Sequence, residues 1–231
     1  MQLEVNGLVT EASYPEEMTE MVFLPALKEW TRKQAEAGRR IFIFLMGAPG
    51  SGKSTLALFL EQLSRRTPGI TPIQALGMDG FHYDNETLQR LHLQARKGAP
   101  FTFDTQALHE KIVEGRTCDN WWPVYSRKIH DPVPNQIRLQ SPIILIEGNY
   151  LFLDAPGWKE LAPLADERVW LETDPDLLKQ RLIDRKRQGG STLAQAVSHY
   201  ETSDRLNIQC VMENRLFSDR TWWLYNQDKE V

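Results

Sequence analysis

The sequence predicts an α/β fold built on a doubly wound parallel sheet. The run Ile41-Phe42-Ile43-Phe44-Leu45-Met46 is apolar at every position, as in a strand buried on both faces. Further short apolar runs at 73–78, 143–146 and 168–171 alternate with segments of helical periodicity at 53–65, 86–96, 106–114 and 175–186. Strands alternating with helices imply parallel pairing with both faces of the sheet covered. The 231 residues, 41% of them hydrophobic, suffice for one sizeable core.

Taken in order, residues 1–14 alternate around Asn6-Gly7, a dipeptide that suits a tight hairpin turn because both residues tolerate positive φ. A helical pattern over 15–37 directs Met18, Met21, Val22, Leu24, Leu27 and Trp30 inward. Pro25 should kink or split that helix, and Gly38 should stop it. Residues 1–40 are expected to form an N-terminal extension packed on a main domain, 41–231, and carry no recognisable chemistry. A long helix is expected over 192–215 and a closing strand over 221–225, whose Trp222 and Trp223 should fill the sheet edge.

Composition excludes several classes. The 27 basic and 31 acidic residues give a net charge of −4, which suits neither a nucleic-acid coat nor a polybasic membrane anchor. No stretch of 18 apolar residues is present, and the N-terminus lacks a basic segment followed by an apolar one, so neither a membrane span nor a secretory signal is expected. Cys118 and Cys210 are too few for a disulfide framework. His82, His109 and His130 show no metal-ligand spacing. A soluble, cytoplasmic protein is the expectation.

The strongest local signal is Gly47-Ala48-Pro49-Gly50-Ser51-Gly52-Lys53-Ser54, followed by Thr55. It fits G-x-x-x-x-G-K-[ST], for which chance supplies on the order of 0.01 matches in a chain of this size. Its glycines let backbone N–H groups converge on phosphate oxygens, and the helix that follows directs its positive end at the same anion. Lys53 should reach the terminal phosphates of a nucleotide, and Ser54 should ligate Mg²⁺. With this loop the expected architecture becomes the P-loop NTPase fold. The loop implies a nucleotide but no particular reaction.

Two strand-end acids bear on the reaction. Asp79, in Met78-Asp79-Gly80-Phe81-His82, follows the 73–78 run, where ligands of open parallel sheets bind. It either accepts a proton from a substrate hydroxyl, with a contact to a metal's water, or caps a turn. Glu147, at the end of the 143–146 run, either acts beside Mg²⁺, largely through water, or is an exposed strand-end acid. Arg181 and Arg185 are four apart on the predicted 175–186 helix, which runs with Arg187 into Gly189-Gly190. They either form a solvated basic face or neutralise charge on a phosphoryl group from a closing segment. The aromatic and basic stretch 121–132 walls a polar pocket or forms a packed surface hairpin.

The order of GAPGSGKS, MDGFH, KGAPFTFD, PVYSRKIHDPVP, EGNYLFLD and an arginine-bearing segment resembles the phosphoribulokinase/uridine kinase/pantothenate kinase group over about residues 40–215. Within the group it is most similar to a bacterial branch of fructose-transport-system-type kinases. The resemblance implies a doubly wound α/β fold with a small helical lid, ATP as donor and Mg²⁺. It places the catalytic aspartate at Asp79, the second acid at Glu147, lid arginines at Arg181 and Arg185, and acceptor-site positions at His82, Tyr125 and Arg127. That branch tends to carry an aspartate inside its Y-x-R segment, whereas this chain has Ser126, as pantothenate kinases do. The expected activity is transfer of the γ-phosphoryl group to a small-molecule alcohol, with a homodimer left open. The competing reading is a nucleotide-dependent switch or scaffold ATPase acting with a protein partner, and a nucleoside-monophosphate kinase ranks third. The absence of an N-K-x-D element disfavours a GTPase of the familiar kind.

Overall fold

The computed structural model describes residues 1–5 and 8–224. The chain opens with an antiparallel pair, β1 (Gln2–Val5) and β2 (Leu8–Glu11), in which Val5 faces Leu8. The Asn6-Gly7 turn expected between them lies outside the described residues. A helical segment follows as α1 (Glu16–Met18), a π-helical turn at Thr19–Phe23 and α2 (Leu24–Ala37). The break expected at Pro25 takes the form of that widened turn. Proline has no N–H to give the carbonyl four residues back, and an extra residue per turn absorbs the mismatch. Gly38 ends α2 at φ 61°, its N–H bonded to the Gln34 carbonyl, as a left-handed cap requires.

The main sheet uses β3 (Ile41–Gly47), which leads into α3 (Lys53–Arg66), and then β4 (Ile73–Gly77). The short α4 (Asn85–Arg90) and α5 (Thr105–Gly115) precede an antiparallel ribbon of β5 (Trp121–Ser126) and β6 (Asp131–Arg138). Next come β7 (Ile143–Gly148), β8 (Glu167–Glu172), α6 (Pro175–Gln188), α7 (Leu193–His199), α8 (Arg205–Glu213) and β9 (Arg220–Trp223). The five-stranded sheet runs β4-β7-β3-β8-β9, parallel throughout. The expected doubly wound sheet is therefore present.

The alternation of β3 shows how both faces are covered. Phe42, Phe44 and Met46 join one core with Leu108 and Ile112 of α5 and the rings of Tyr150 and Phe152. Ile41, Ile43 and Leu45 join the other with Leu56 and Leu60 of α3 and Leu27 and Trp30 of α2. Side chains of a strand point alternately to opposite faces, so a run that is apolar throughout requires two covering layers. The N-terminal segment supplies part of one layer. Its Phe23 and Trp30 rings lie 5.4 and 6.0 Å from Trp222 of β9. Trp222 is thus buried as expected, whereas Trp223 is half-exposed.

Two predicted helices are interrupted. The 86–96 pattern stops after Arg90, where His92 takes a left-handed φ of 58°, and resumes as a single 3₁₀ turn at Gln94–Arg96. No glycine marks that stop. The 192–215 pattern begins on a capping box between Thr192 and Gln195, then passes through a π-helical turn at Tyr200–Asp204 before α8. Each inserted residue rotates the following face by about 100°. Tyr200 can thereby pack with Leu182 and Ile183 of α6, while Val211 turns into the main core. The closing strand expected over 221–225 is β9, and Tyr225 lies outside the described residues. Among the described residues no helix is long and apolar enough to cross a membrane.

Candidate active site

The loop 47–54 joins β3 to α3 at the carboxyl end of the sheet. Gly50 and Gly52 adopt φ of 85° and 90°, a region costly for any residue with a Cβ. A Cβ on Gly50 would also stand 3.1 Å from the Leu182 side chain and 3.3 Å from the Leu178 carbonyl of α6. The loop is therefore held between its own strand and α6. Ser51 is fully buried and its Oγ has no hydrogen-bond partner. Lys53 is buried too, with Nζ reaching back to the Ala48 carbonyl at 3.4 Å.

Strand order brings the acids to this loop. β7 lies between β3 and β4, and Glu147 is in register with Leu45 on one side and Gly77 on the other. Ser54, in the first turn of α3, donates its hydroxyl to Glu147 Oε1 at 2.8 Å. Burial pushes the Glu147 carboxyl up, with Lys53 pulling it down; burial pushes Lys53 down, with Glu147 and Asp79 pulling it up. A pair so enclosed interacts strongly because little water screens it. Among the described residues no group of three or more His, Cys, Asp or Glu gathers as a metal cluster. A hydroxyl beside a carboxylate at a phosphate loop nevertheless fits Mg²⁺, which keeps several of its waters.

Asp79 sits in a 3₁₀ turn, Met78–Phe81, immediately after β4. Its carboxylate is 3.8 Å from the Arg127 guanidinium, both groups being partly open to solvent. Arg127 reaches it because the β5–β6 ribbon is clamped down at three places. Trp122 is buried and donates its indole N–H to the Gly77 carbonyl at 2.9 Å. Lys97 donates to the His130 carbonyl and to Asn85 Oδ1, each at 2.6 Å, at the ribbon's tip. Gly80 lies against the ribbon backbone, where a Cβ would fall 2.2 Å from the Pro123 carbonyl oxygen. Replacing Gly80 by Ala must push main chain apart. The expected cost is about 1–3 kcal/mol, read as a lowered midpoint of denaturant unfolding. An unchanged midpoint would show that the ribbon yields freely.

His82 packs its ring 3.9 Å from Phe103 and 5.0 Å from Tyr125. Its Nδ1 is 2.8 Å from the Asp79 carbonyl; a carbonyl can only accept, so Nδ1 carries the proton. Burial lowers the His82 pKa. Of the three acceptor-site candidates, Arg127 meets the Asp79 carboxylate, Tyr125 lies behind it under Lys97, 5.2 Å from the ring, and His82 braces the turn.

The two lid arginines do not share a target. Arg185 is crowded by protein, which lowers its pKa, and it feels the charges of Arg127, Asp204 and Asp79. Arg181 instead directs its guanidinium to the Gly50 and Ser51 carbonyls, 3.4 Å from each, and lies near Tyr14. Four residues along a helix are neighbours but sit a full turn apart, enough here to give the two different partners. Sequence reasoning missed Lys97, whose motif KGAPFTFD carried no separate assignment. It also missed Asn149, two residues after Glu147, whose side-chain Oδ1 is buried without a hydrogen-bond partner.

Several known proteins are similar to this chain. The Escherichia coli K12 protein YggC is 40% identical over 215 residues, 93% of this chain and 91% of that one. A pantothenate kinase of Levilactobacillus brevis is 33% identical over 150 residues, 62% of this chain but 49% of that enzyme. A crystal structure from Silicibacter sp., described as that of a candidate fructose transport system kinase, superposes with a TM-score of 0.79 at 33% identity, covering 86% of this chain and 98% of that one. Residues 42–213 match the model of a single family, and with the phosphate loop, Glu147 and Asp79 gathered at one end of a parallel sheet, this chain belongs to the Phosphoribulokinase / Uridine kinase family.

Proposed function

We propose that this chain is an ATP-dependent kinase that transfers the γ-phosphoryl group to a hydroxyl of a small molecule, such as a sugar, a nucleoside or a pantothenate-like alcohol. The observation that carries the reading is the convergence of the phosphate loop, the Ser54–Glu147 pair and Asp79 at one sheet end. A pure nucleotide switch needs the first two; a carboxylate standing free of the loop, with Arg127 beside it, is what an acceptor hydroxyl needs.

In this mechanism the acceptor oxygen attacks the γ-phosphorus, the bond to the β-phosphate oxygen breaks, ADP leaves, and the hydroxyl proton passes to Asp79. Lys53 and the backbone N–H groups of 47–54 hold the phosphates, and Thr55 extends that cradle along α3. In this reading Arg185 supplies a cation for the charge on the transferring group. Ser54 and Glu147 would hold Mg²⁺, which when bound neutralises phosphate charge. Catalysis is then mostly positioning and electrostatics.

The test is ADP release measured with and without a panel of sugars, nucleosides and vitamin-precursor alcohols. A large acceptor-dependent rise is expected. Turnover blind to every alcohol but raised by a protein partner would favour the switch instead. Lys53→Ala should weaken binding of ATP by about tenfold or more, measured by calorimetry; unchanged affinity would remove the loop from the site.

A further inference from the structure

Lys97 and Gly98 join three elements: the ribbon, the segment that follows β7, and α8. Gly98 takes a left-handed φ of 96°. Its carbonyl accepts from the Tyr150 hydroxyl at 2.7 Å and from Asn207 Nδ2 at 3.4 Å. Tyr150 and Asn207 are both buried, so the lysine starts from a fixed base. Its ammonium donates to the His130 carbonyl and to Asn85 Oδ1, each at 2.6 Å, and lies 3.7 Å from Asp131 Oδ1. An ammonium has three donors, and protein groups face all three. Those groups also bind one another: Asn85 donates its Nδ2 to the His130 carbonyl at 3.2 Å and its main-chain N–H to Asp131 Oδ1 at 2.8 Å. His130 has a φ of 54°, uncommon for a residue with a Cβ, and its carbonyl is the one that the lysine holds.

We infer that Lys97 is a positioning residue for the acceptor: by tying down the return side of the ribbon's turn, it holds Arg127 beside Asp79. This rests on the kinase reading and deepens it by naming what orients the acceptor site. Ser126 pairs with Asp131 across the ribbon, and Arg127 follows Ser126 directly. A tie on His130 and Asp131 therefore reaches Arg127 through a single strand pair. The Arg127–Asp79 contact cannot do this by itself. Its groups are 3.8 Å apart and 42% and 40% exposed, and exposed ion pairs contribute too little to hold a hairpin turn. The other two anchors act at Trp122 and Pro123, well before Arg127 along β5, and leave the tip to Lys97. The same ammonium lies 5.2 Å from the Tyr125 ring, so one residue sets two of the acceptor-site candidates.

The test compares the full chain with Lys97→Met, Arg127→Met and the two substitutions together. Methionine keeps an apolar stem and removes the ammonium. Calorimetry with ATP should return the parent's affinity for all three, which also shows that they are folded. On the alcohol of the panel that most raises ADP release, Lys97→Met is expected to raise the acceptor KM by about tenfold or more and leave the KM for ATP unchanged. In the Arg127→Met background the same change should cost less than about threefold, because the group it positions is gone. A parental acceptor KM in Lys97→Met, or an equal cost with and without Arg127, overturns the inference. Hydrogen exchange reads the tie without any acceptor: the amides of 126–131 should exchange about tenfold faster in Lys97→Met, while those of β7 keep their protection. Parental exchange at the tip also overturns the inference. If no alcohol raises ADP release from the parent, the kinase reading fails and takes this inference with it, and faster exchange then records only a structural tie. Should Lys97→Met lose ATP binding, Asn85→Ala, which removes an exposed partner of the ammonium, replaces it with the same expected directions.

Discussion

Asp79→Asn is expected to bind ATP as the parent does while losing about 10²- to 10⁴-fold in kcat, the range a positioned general base contributes. Asparagine nearly matches aspartate in shape, so the 3₁₀ turn and the ribbon beside it should stand. Asp79 touches neither the loop nor the Ser54–Glu147 pair through a hydrogen bond; Arg127 lies 3.8 Å away, His82 meets its main-chain carbonyl, and Lys53 and Glu147 feel only its charge. The substitution therefore removes a proton acceptor and leaves the phosphate cradle. Steady-state kinetics on a genuine acceptor, beside calorimetry with ATP, separates the two effects. Full turnover in the variant would falsify the base assignment. Loss of ATP binding together with turnover would instead make Asp79 a phosphate- or metal-side residue.

The second large effect is on stability. Glu167 is buried at 1% exposure at the start of β8, where it pairs with Lys33 of α2 and Arg220 of β9. Both cations also reach Glu29, Lys33 at 3.4 Å. Four charges thus tie the N-terminal helix to the sheet. Glu167→Ala leaves two partly buried cations without their buried partner, at an expected cost of about 3–5 kcal/mol, measured by denaturant unfolding. Replacing Glu167, Glu29, Lys33 and Arg220 together by methionine should recover much of that loss, since an apolar cluster of similar volume needs no pairing. A cost below about 1 kcal/mol for Glu167→Ala would put the cluster among ordinary surface bridges.

The pH dependence of this cluster follows from its partners. Burial works to raise Glu29, but Arg220 and Lys33 outweigh it and hold the carboxyl below its usual value of 4.5. That stabilisation is present above pH 4.5 and is lost as pH falls through the depressed value. Burial works to lower Lys33, but Glu167 and Glu29 outweigh it and hold the ammonium above 10.5. Its contribution is present below that pH and is lost as pH rises through the raised value. The effect of Glu167→Ala should therefore be flat through the neutral range.

Much of the site was legible because its parts are local. The phosphate loop is a contiguous motif whose glycines, lysine and serine act through neighbouring backbone. Strand-end acids are visible because buried parallel strands are apolar runs that stop abruptly, as at Glu147. Asp79 was legible for the same reason, and the family resemblance turned a turn-capping acid into a candidate base. The helix stops were harder. His92 ends α4 in a left-handed conformation without glycine, and the π turn at Tyr200–Asp204 leaves no mark in the apolar periodicity on either side.

What the sequence determined by itself was the parallel α/β sheet, the phosphate loop and the identity of two acids, because continuous apolar runs and backbone cradles are properties of adjacent residues. The tertiary structure alone decided which of those residues face one another. Strand order set Glu147 between the loop and Asp79. The ribbon's approach at Gly80 set Arg127 against Asp79. A single helical turn separates Arg181, at the Gly50 and Ser51 carbonyls, from Arg185, which feels the charges of Arg127, Asp204 and Asp79, and folding laid the N-terminal extension against Trp222 of β9. Contacts of this kind join residues tens to hundreds of positions apart, and they depend on crossovers and packing that no local pattern encodes.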